Sequence, residues 1–236
     1  IPVTALKHLA SDPMQVCRFL KKKKFIRLTS VESIPDITGF TFDPIEKIIS
    51  YTESQQEILD ELIPKIKTKK FVSILLHGVT GSGKTEIYIE AVRQCIDIKM
   101  SAIILLPEIS LTPQIAGRFS AVFGNKVALW HSKMTPGIRV WTWKKICSGE
   151  CSVVIGARSA VFTPVKRLGL IIVDEEQESA YKQESPAPRY HARDVALMRG
   201  KLHNAVVVLA SATPSLESYY NRVLGKHEHL SLPDRF

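Results

Sequence analysis

The sequence is short of what would make a membrane, secreted or metal-stapled protein. Only four cysteines occur in 236 residues, Cys17, Cys95, Cys147 and Cys151, and only the last two stand close together. No second Cys or His pair follows at zinc-finger spacing, so the thiols read as reduced and structural and the compartment as cytosolic. No apolar run approaches the roughly 18 residues that a membrane span needs. The start, "IPVTALKHLA", lacks the charged-then-apolar form of a secretion signal, and residue 1 is not Met. The chain is therefore expected to be a piece of something longer. Internal repeats and low-complexity segments are missing too. What remains is 45% apolar and 23% charged, a composition expected of one large globular domain, or one with an appendage.

Acids are scarce at the start. Residues 1 to 30 hold Lys7, Arg18, Lys21, Lys22, Lys23, Lys24 and Arg27 against Asp12 alone, six of the nine net positive charges. A basic end suits nucleic acid, because each neutralised phosphate releases counterions; the plainer alternative is a solvated Lys-rich face. "SDPMQVCRFLKKKK" predicts a helix capped by Ser11, with Pro13 in its first turn, and "FIRLT" predicts a short strand. Residues 31 to 50 carry two prolines and no clear period, so they read as a linker.

From Phe71 the pattern becomes apolar strands separated by helical stretches. Strands are expected over 71–77, 101–106, 126–130, 152–156, 168–173 and 205–210, and helices near 84–98, 111–123, 137–148, 191–203 and 215–223. Most of these strands are continuously apolar, which fits burial on both faces, and their alternation with helices predicts a mostly parallel sheet with crossovers.

Three motifs sit at strand ends. "GVTGSGKT", Gly78 to Thr85, fits G-x-x-x-x-G-K-[ST] between an expected strand and an expected helix. Its glycines (Gly78, Gly81 and Gly83), with Thr80 and Ser82, let backbone N–H groups turn toward phosphate oxygens at a helix N-terminus. Lys84 would reach the β- and γ-phosphates of ATP, and Thr85 would ligate Mg²⁺. After "LGLIIV" come Asp174, to hold Mg²⁺ mostly through water, and Glu175, to orient and deprotonate an attacking water. "SATPS", 211 to 215, follows the strand over 205–210; its Ser and Thr hydroxyls are expected to bond toward Asp174 or Glu176 and relay the nucleotide state, with Ser211 and Thr213 as the coupling residues. Taken alone, the pattern over 78–85 could match by chance, the acids could cap the next helix, and "SATPS" could be a strand-to-helix turn capped by Ser215.

In order, the stretches "GVTGSGKTEIYIEAV", "LLPEISLTPQ", "WHSKMTPGIRVWTW", "VVIGARSAVFTPVKRLGLIIVDEEQESAYKQE", "RYHARDVALMR" and "SATPSLESY" resemble the bacterial primosomal replication-restart helicases, the PriA family, from about residue 51 onward. The resemblance implies an α/β fold: a RecA-like P-loop lobe over 51–236, preceded by a partial winged helix (1–30) and a linker (31–50). It also implies a superfamily 2 helicase of 3′-to-5′ polarity that recognises stalled or repaired forks. Such an enzyme would unwind the lagging-strand arm and load the replicative helicase. Its expected partners are forked DNA, primosome proteins, the replicative helicase loader and single-stranded DNA-binding protein. "YTESQQ" is similar to that family's adenine-reading segment, making Gln55 the candidate reader, although Ser54 stands where an acid is usual. Thr112, Arg158 and Ser159 would then contact the DNA backbone. In "ESAYKQESPAPRYHARD", Tyr181 and Tyr190 would stack on bases while Lys182, Arg189 and Arg193 meet phosphates; packing of Tyr190 and Arg193 against the sheet is the plainer alternative.

The resemblance also names what this chain does not carry: a second helicase lobe with its arginine finger, the zinc-binding cysteine cluster and an N-terminal DNA-reading domain. Zinc is expected in the full-length family, but its ligands are not here. The fragment is expected to bind ATP weakly and hydrolyse it slowly. The alternatives are another superfamily 2 DNA translocase, or a DNA-binding module with an idle ATP site. At position 177 the family usually has His; Gln177 can donate and accept hydrogen bonds toward the third motif but cannot become a cation, so coupling is expected to survive without a pH-dependent contribution.

Overall fold

The computed structural model describes Ala10, residues 12–27, 51–108, Ser110 and residues 113–235. The chain divides into two compact units, Ile1–Pro35 and Asp36–Phe236. In the first, helix α1 runs over Pro13–Lys22. Asp12 opens it, rather than the expected Ser11, which lies outside the described residues: its Oδ1 accepts the N–H groups of Met14 and Gln15, each at 3.1 Å. Pro13 follows at a position where no intrahelical donor is lost. Lys21 and Lys22 close the last turn, where cations offset the negative helix end. Phe25 to Arg27 form a bend and open chain in place of the expected strand. The remainder of that strand and the expected linker lie outside the described residues.

The second unit begins with α2 (Glu53–Thr68). Then come β1 (Val72–Gly78), α3 (Lys84–Asp97), β2 (Ser101–Leu105), α4 (Pro113–Phe123) and β3 (Val127–Trp130). These are followed by α5 (Pro136–Ser148), β4 (Val153–Gly156) and β5 (Leu168–Asp174). A small hairpin of β6 (Lys182–Gln183) and β7 (Tyr190–His191) precedes α6 (Ala192–His203), β8 (Val206–Ser211), α7 (Leu216–Val223) and β9 (Glu228–Leu232). Seven strands form one parallel sheet in the order β3-β4-β2-β5-β8-β1-β9. The six strands expected from the sequence all form, with ends displaced by one residue at most. To them the structure adds β9, the hairpin and α2.

Register makes the core. Leu129, Ile155, Ile104, Ile172, Val208 and Ile74 lie in one row across six strands. That row packs under α2 and α3, against Leu59, Leu62, Ile87 and Val92. The opposite face, with Leu75, Ile103, Ile171, Val173 and Leu209, is covered by α6 and by Ile146 of α5. Each such side chain taken out of water contributes about 1.5–3 kcal/mol, which is why strands covered on both sides must be apolar throughout. Gly156 at the end of β4 is demanded by close approach: a Cβ there would lie 2.1 Å from the Trp130 carbonyl oxygen.

Candidate active site

The central strands β5, β8 and β1 end side by side, with Asp174 beside Ala210 and Ser211 beside His77. The sheet thus brings the three motif-bearing loops together at its carboxyl edge, where ligands bind in open α/β folds. In the loop after β1, Gly81 and Gly83 each take φ +79°, a conformation that side chains rarely adopt. Gly83 is also the N-cap of α3 and offers no side-chain cap, so the helix opens on bare backbone N–H groups. Lys84, buried, donates from Nζ to the carbonyls of Gly78 at 2.8 Å and Val79 at 3.4 Å. Ser82 is 2% exposed, and its Oγ has no hydrogen-bond partner among the described residues. A buried hydroxyl without a partner costs about 1–3 kcal/mol. An orphan hydroxyl, left-handed glycines and an uncapped helix start fit a nucleotide's phosphates with their divalent cation. Among the described residues no cluster of three or more His, Cys, Asp or Glu side chains is placed to hold a metal by itself. A nucleotide-bound Mg²⁺ does not need one, because phosphates and waters fill most of its shell.

Gln55 holds this loop from behind. It is fully buried; its Oε1 accepts from Thr52 N at 3.0 Å and its Nε2 donates to the Ser82 carbonyl at 3.1 Å. Thr52 Oγ1 accepts Gln55 N in return, so the residue expected to read adenine completes a capping box and tethers the phosphate loop. Both ends of its amide are engaged.

At the end of β5, burial pushes the Asp174 carboxyl above the usual aspartate value, while the Tyr88 hydrogen bond and the Lys84 charge pull it down. Tyr88 of α3 donates to Asp174 Oδ1 at 2.7 Å, and Tyr181 donates to the Asp174 backbone carbonyl at 2.6 Å. Glu175 then takes φ +47° and turns the chain sharply, so that Glu176 N reaches Ala210 O on β8. From Glu175 a chain of bonds leaves the site. Gln177 Nε2 donates to Glu175 Oε2 at 2.9 Å, Ser211 Oγ donates to Gln177 Oε1 at 2.6 Å, and Thr213 N donates to Ser211 Oγ at 2.8 Å. Ser211 therefore bonds to Gln177, while another hydroxyl of the same motif, that of Ser215, bonds to Glu176 as the sequence suggested. Glu176 also accepts from Ser215 N and Ser218 Oγ.

The DEAD/DEAH box helicase family model matches residues 52–221, most of the chain. The chain belongs to the DEAD/DEAH box helicase family. Among curated relatives, this helicase domain is 51% identical over 173 residues to the replication restart protein PriA of Chlamydia pneumoniae, and 47% identical over 184 residues to that of Bacillus subtilis. Those matches take in 73% and 78% of this chain but 23% of each relative, so the chain spans about a quarter of the relatives' length. Among solved structures, RecG bound to a three-way DNA junction superposes with a TM-score of 0.59 at 23% identity, covering 80% of this chain and 24% of that one. That likeness shows a RecA-like helicase lobe as the fold.

The expected DNA-contacting residues of this DEAD/DEAH lobe divide into two groups. Ser159, Lys182 and Arg189 are exposed and Tyr190 is half-buried, around the hairpin. Lys182 pairs with Glu184 at 3.1 Å. Arg158 Nη1 donates to the carbonyls of Lys182 at 2.7 Å and Ala180 at 3.3 Å, and its guanidinium lies over the Tyr190 ring. Tyr190 also meets Phe162 edge-on at 5.0 Å. Two expectations are corrected. Tyr181, 1% exposed, is a core residue and cannot stack on a base. Arg193 is committed to Glu176 at 3.1 Å, Ser215 Oγ at 2.8 Å and Asp194 at 3.2 Å, so its charge is spent inside the lobe. Thr112 lies outside the described residues. Sequence reasoning missed Tyr88 and the ion pair of Glu176 with Arg193. The one available signal for Tyr88 is its i+4 spacing from Lys84 along α3, which puts both on one helix face.

Proposed function

We propose that the chain is the nucleotide-binding lobe of an ATP-driven 3′-to-5′ DNA helicase that restarts replication at stalled or repaired forks. The observation that carries this reading is the bonded path from Glu175 through Gln177 and Ser211 to the loop after β8, set beside Lys84 at the same sheet edge. A phosphate-binding kinase site has no need of such a relay; a motor does, because it must turn nucleotide state into motion. The relatives' printed name supports replication restart as the setting. Forked DNA is the substrate, and primosome proteins, the helicase loader and single-stranded DNA-binding protein are the partners, in the cytoplasm of a bacterium. Residues 1 to 30 serve as part of a basic DNA-binding winged helix, and 31 to 50 as its linker.

The chain's own residues divide the work. Nucleotide with Mg²⁺, when bound, supplies the phosphoryl group and neutralises its charge. Lys84 gives up its two loop carbonyls for phosphate oxygens, and Ser82 Oγ gains the partner it lacks. Thr85 and Asp174 are the residues to hold the cation, and Glu175 accepts a proton from the attacking water. Gln177 holds that carboxylate at Oε2, so displacement of Ser211 is felt at Glu175. The surface formed by Ser159, Lys182, Arg189 and Tyr190 meets DNA, beside an open basin of about 640 Å³ lined by Lys182, Arg189, Tyr190 and His191 together with the acids Glu184 and Asp194.

The test compares ATP turnover, with and without forked DNA, for this chain and for one extended to the relatives' length. Turnover in the longer chain should rise with DNA and vanish in Lys84→Ala and Glu175→Gln. The 236-residue chain should turn over at least about a thousandfold more slowly, the typical worth of an arginine finger. If DNA stimulates neither chain, the motor reading is wrong.

A further inference from the structure

Tyr88 occupies an unexpected place. It lies on α3 one turn beyond Lys84, is 2% exposed, and belongs to the apolar core beneath the sheet. A phenylalanine would fill the same volume without a hydroxyl to satisfy. The hydroxyl instead reaches from the phosphate-loop helix to the end of β5 and donates to Asp174 Oδ1 at 2.7 Å. A phenol bonded to a carboxylate in a dry setting makes a strong, short, charge-assisted bond. On the other side, Tyr181 fixes the same residue's backbone carbonyl at 2.6 Å.

We propose that Tyr88 is a positioning residue for Asp174, holding Oδ1 so that the second carboxylate oxygen is directed to the divalent cation that accompanies the nucleotide. The inference rests on the nucleotide reading of the site and adds a residue to it. Oδ1 is already engaged, so one rotamer of Asp174 is selected before any cation arrives, and the entropy of fixing it is not charged to binding. The bond also ties α3, which carries Lys84 and Thr85, to β5, which carries Asp174. Cation ligands from two separate elements are thereby kept at a fixed spacing. Tyr181 fixes the main chain at the same point and leaves the carboxylate free, so the two tyrosines do different work.

The experiment titrates the 236-residue chain with N-methylanthraniloyl-ATP, once in excess EDTA and once in saturating Mg²⁺, and reads the gain in affinity that Mg²⁺ brings. Tyr88→Phe should bind as the wild type does in EDTA and lose about tenfold of the Mg²⁺ gain. Its melting temperature should fall by only the several degrees that loss of one buried charge-assisted hydrogen bond costs. Tyr51→Phe removes a different hydroxyl packed at the same core, one that bonds Glu90 at 3.2 Å, and should keep the full gain. Asp174→Asn should cut the gain at least as far as Tyr88→Phe does, and adding Tyr88→Phe to it should change nothing further. The proposal is overturned if Tyr88→Phe keeps the gain, if Tyr51→Phe loses as much, if the Asp174 double variant loses more, or if Tyr88→Phe melts far earlier. Absence of any wild-type binding in both buffers overturns the nucleotide reading itself and this inference with it; binding without the Tyr88 effect overturns this inference alone.

Discussion

Glu176 is fully buried and carries four hydrogen bonds, from Arg193 Nη1, Ser215 N, Ser215 Oγ and Ser218 Oγ, at 2.7 to 3.1 Å. A carboxylate so enclosed is tolerated only because its charge is met by Arg193, whose own side chain is 12% exposed. Arg193 is therefore structural first. Replacing it by Met removes the cation and leaves the acid stranded, at a cost of about 3–5 kcal/mol. Urea unfolding of Arg193→Met should show that loss, and Glu176→Gln in the same chain should return part of it. A phosphate-contact residue would behave otherwise, weakening DNA binding with stability untouched, and that result would restore the role read from the sequence. The position illustrates why a single sequence misplaces function. An arginine next to an aromatic stretch looks like a phosphate ligand until its partner, 17 residues upstream in the acid cluster, is seen to face it. Tyr181 misleads in the same way, since nothing in "SAYKQ" shows that its ring lies under Asp174.

At the scale of elements, most of the lobe was legible. Strands buried on both faces cannot alternate, so "FVSILLH", "LGLIIV" and "AVVVLA" declare themselves, and the phosphate loop is fixed by its own glycines. What escaped was edge structure and inverted amphipathicity. β9 alternates, burying only Leu230 and Leu232, and it pairs with β1 alone. α2 carries a capping box in Thr52 and Gln55, but Pro64 within the helix argues against it. In α7 the large apolar residues Leu216, Tyr219, Tyr220 and Val223 share a face at helical spacing, yet all are exposed. The face turned inward is that of Ser218, because Glu176 needs its hydroxyl. The hairpin is another element that escaped. Its first leg is rooted on Asp174 through Tyr181 and its second on Glu176 through Arg193, while its tip, residues 184–189, is exposed. Tyr190→Ala takes away the ring that Arg158 and Phe162 pack against and leaves both roots intact. In the extended chain it should therefore reduce DNA stimulation of ATP turnover about tenfold, the worth of one stacked base, with nucleotide affinity unchanged. Equal loss of both would show that the hairpin supports the site without sensing DNA.

For the lobe as a whole, the histidines set how stability follows pH. Burial lowers His131, His191, His227 and His229 below the ordinary 6.5. A histidine whose folded pKa is depressed binds its proton more readily in the unfolded chain. Its neutral-form stability is thus fully present above pH 6.5 and is lost as pH falls from there toward the folded value. Asp174 works with the opposite sign: a carboxyl raised by burial makes the folded state the better proton acceptor, so its share of stability grows as pH falls. The bulk pH profile mixes both, and a paired comparison separates them. His227 is the most enclosed of the four and lies at 2.7 Å from Ser73 Oγ through Nδ1, joining the turn before β9 to the start of β1. At pH 8 the wild type should melt above His227→Asn, which has lost the ring's packing. On acidification to pH 5.5 that gap should narrow, because the wild type alone pays to deprotonate a buried imidazole, whereas Asp174 and the other histidines act equally on both proteins. Melting curves at half-unit steps between pH 8 and 5.5 measure the gap directly. A constant gap would mean that folding does not weaken proton binding at His227, and a widening one that the ring is protonated in the folded state and donates its Nδ1–H to the Ser73 hydroxyl.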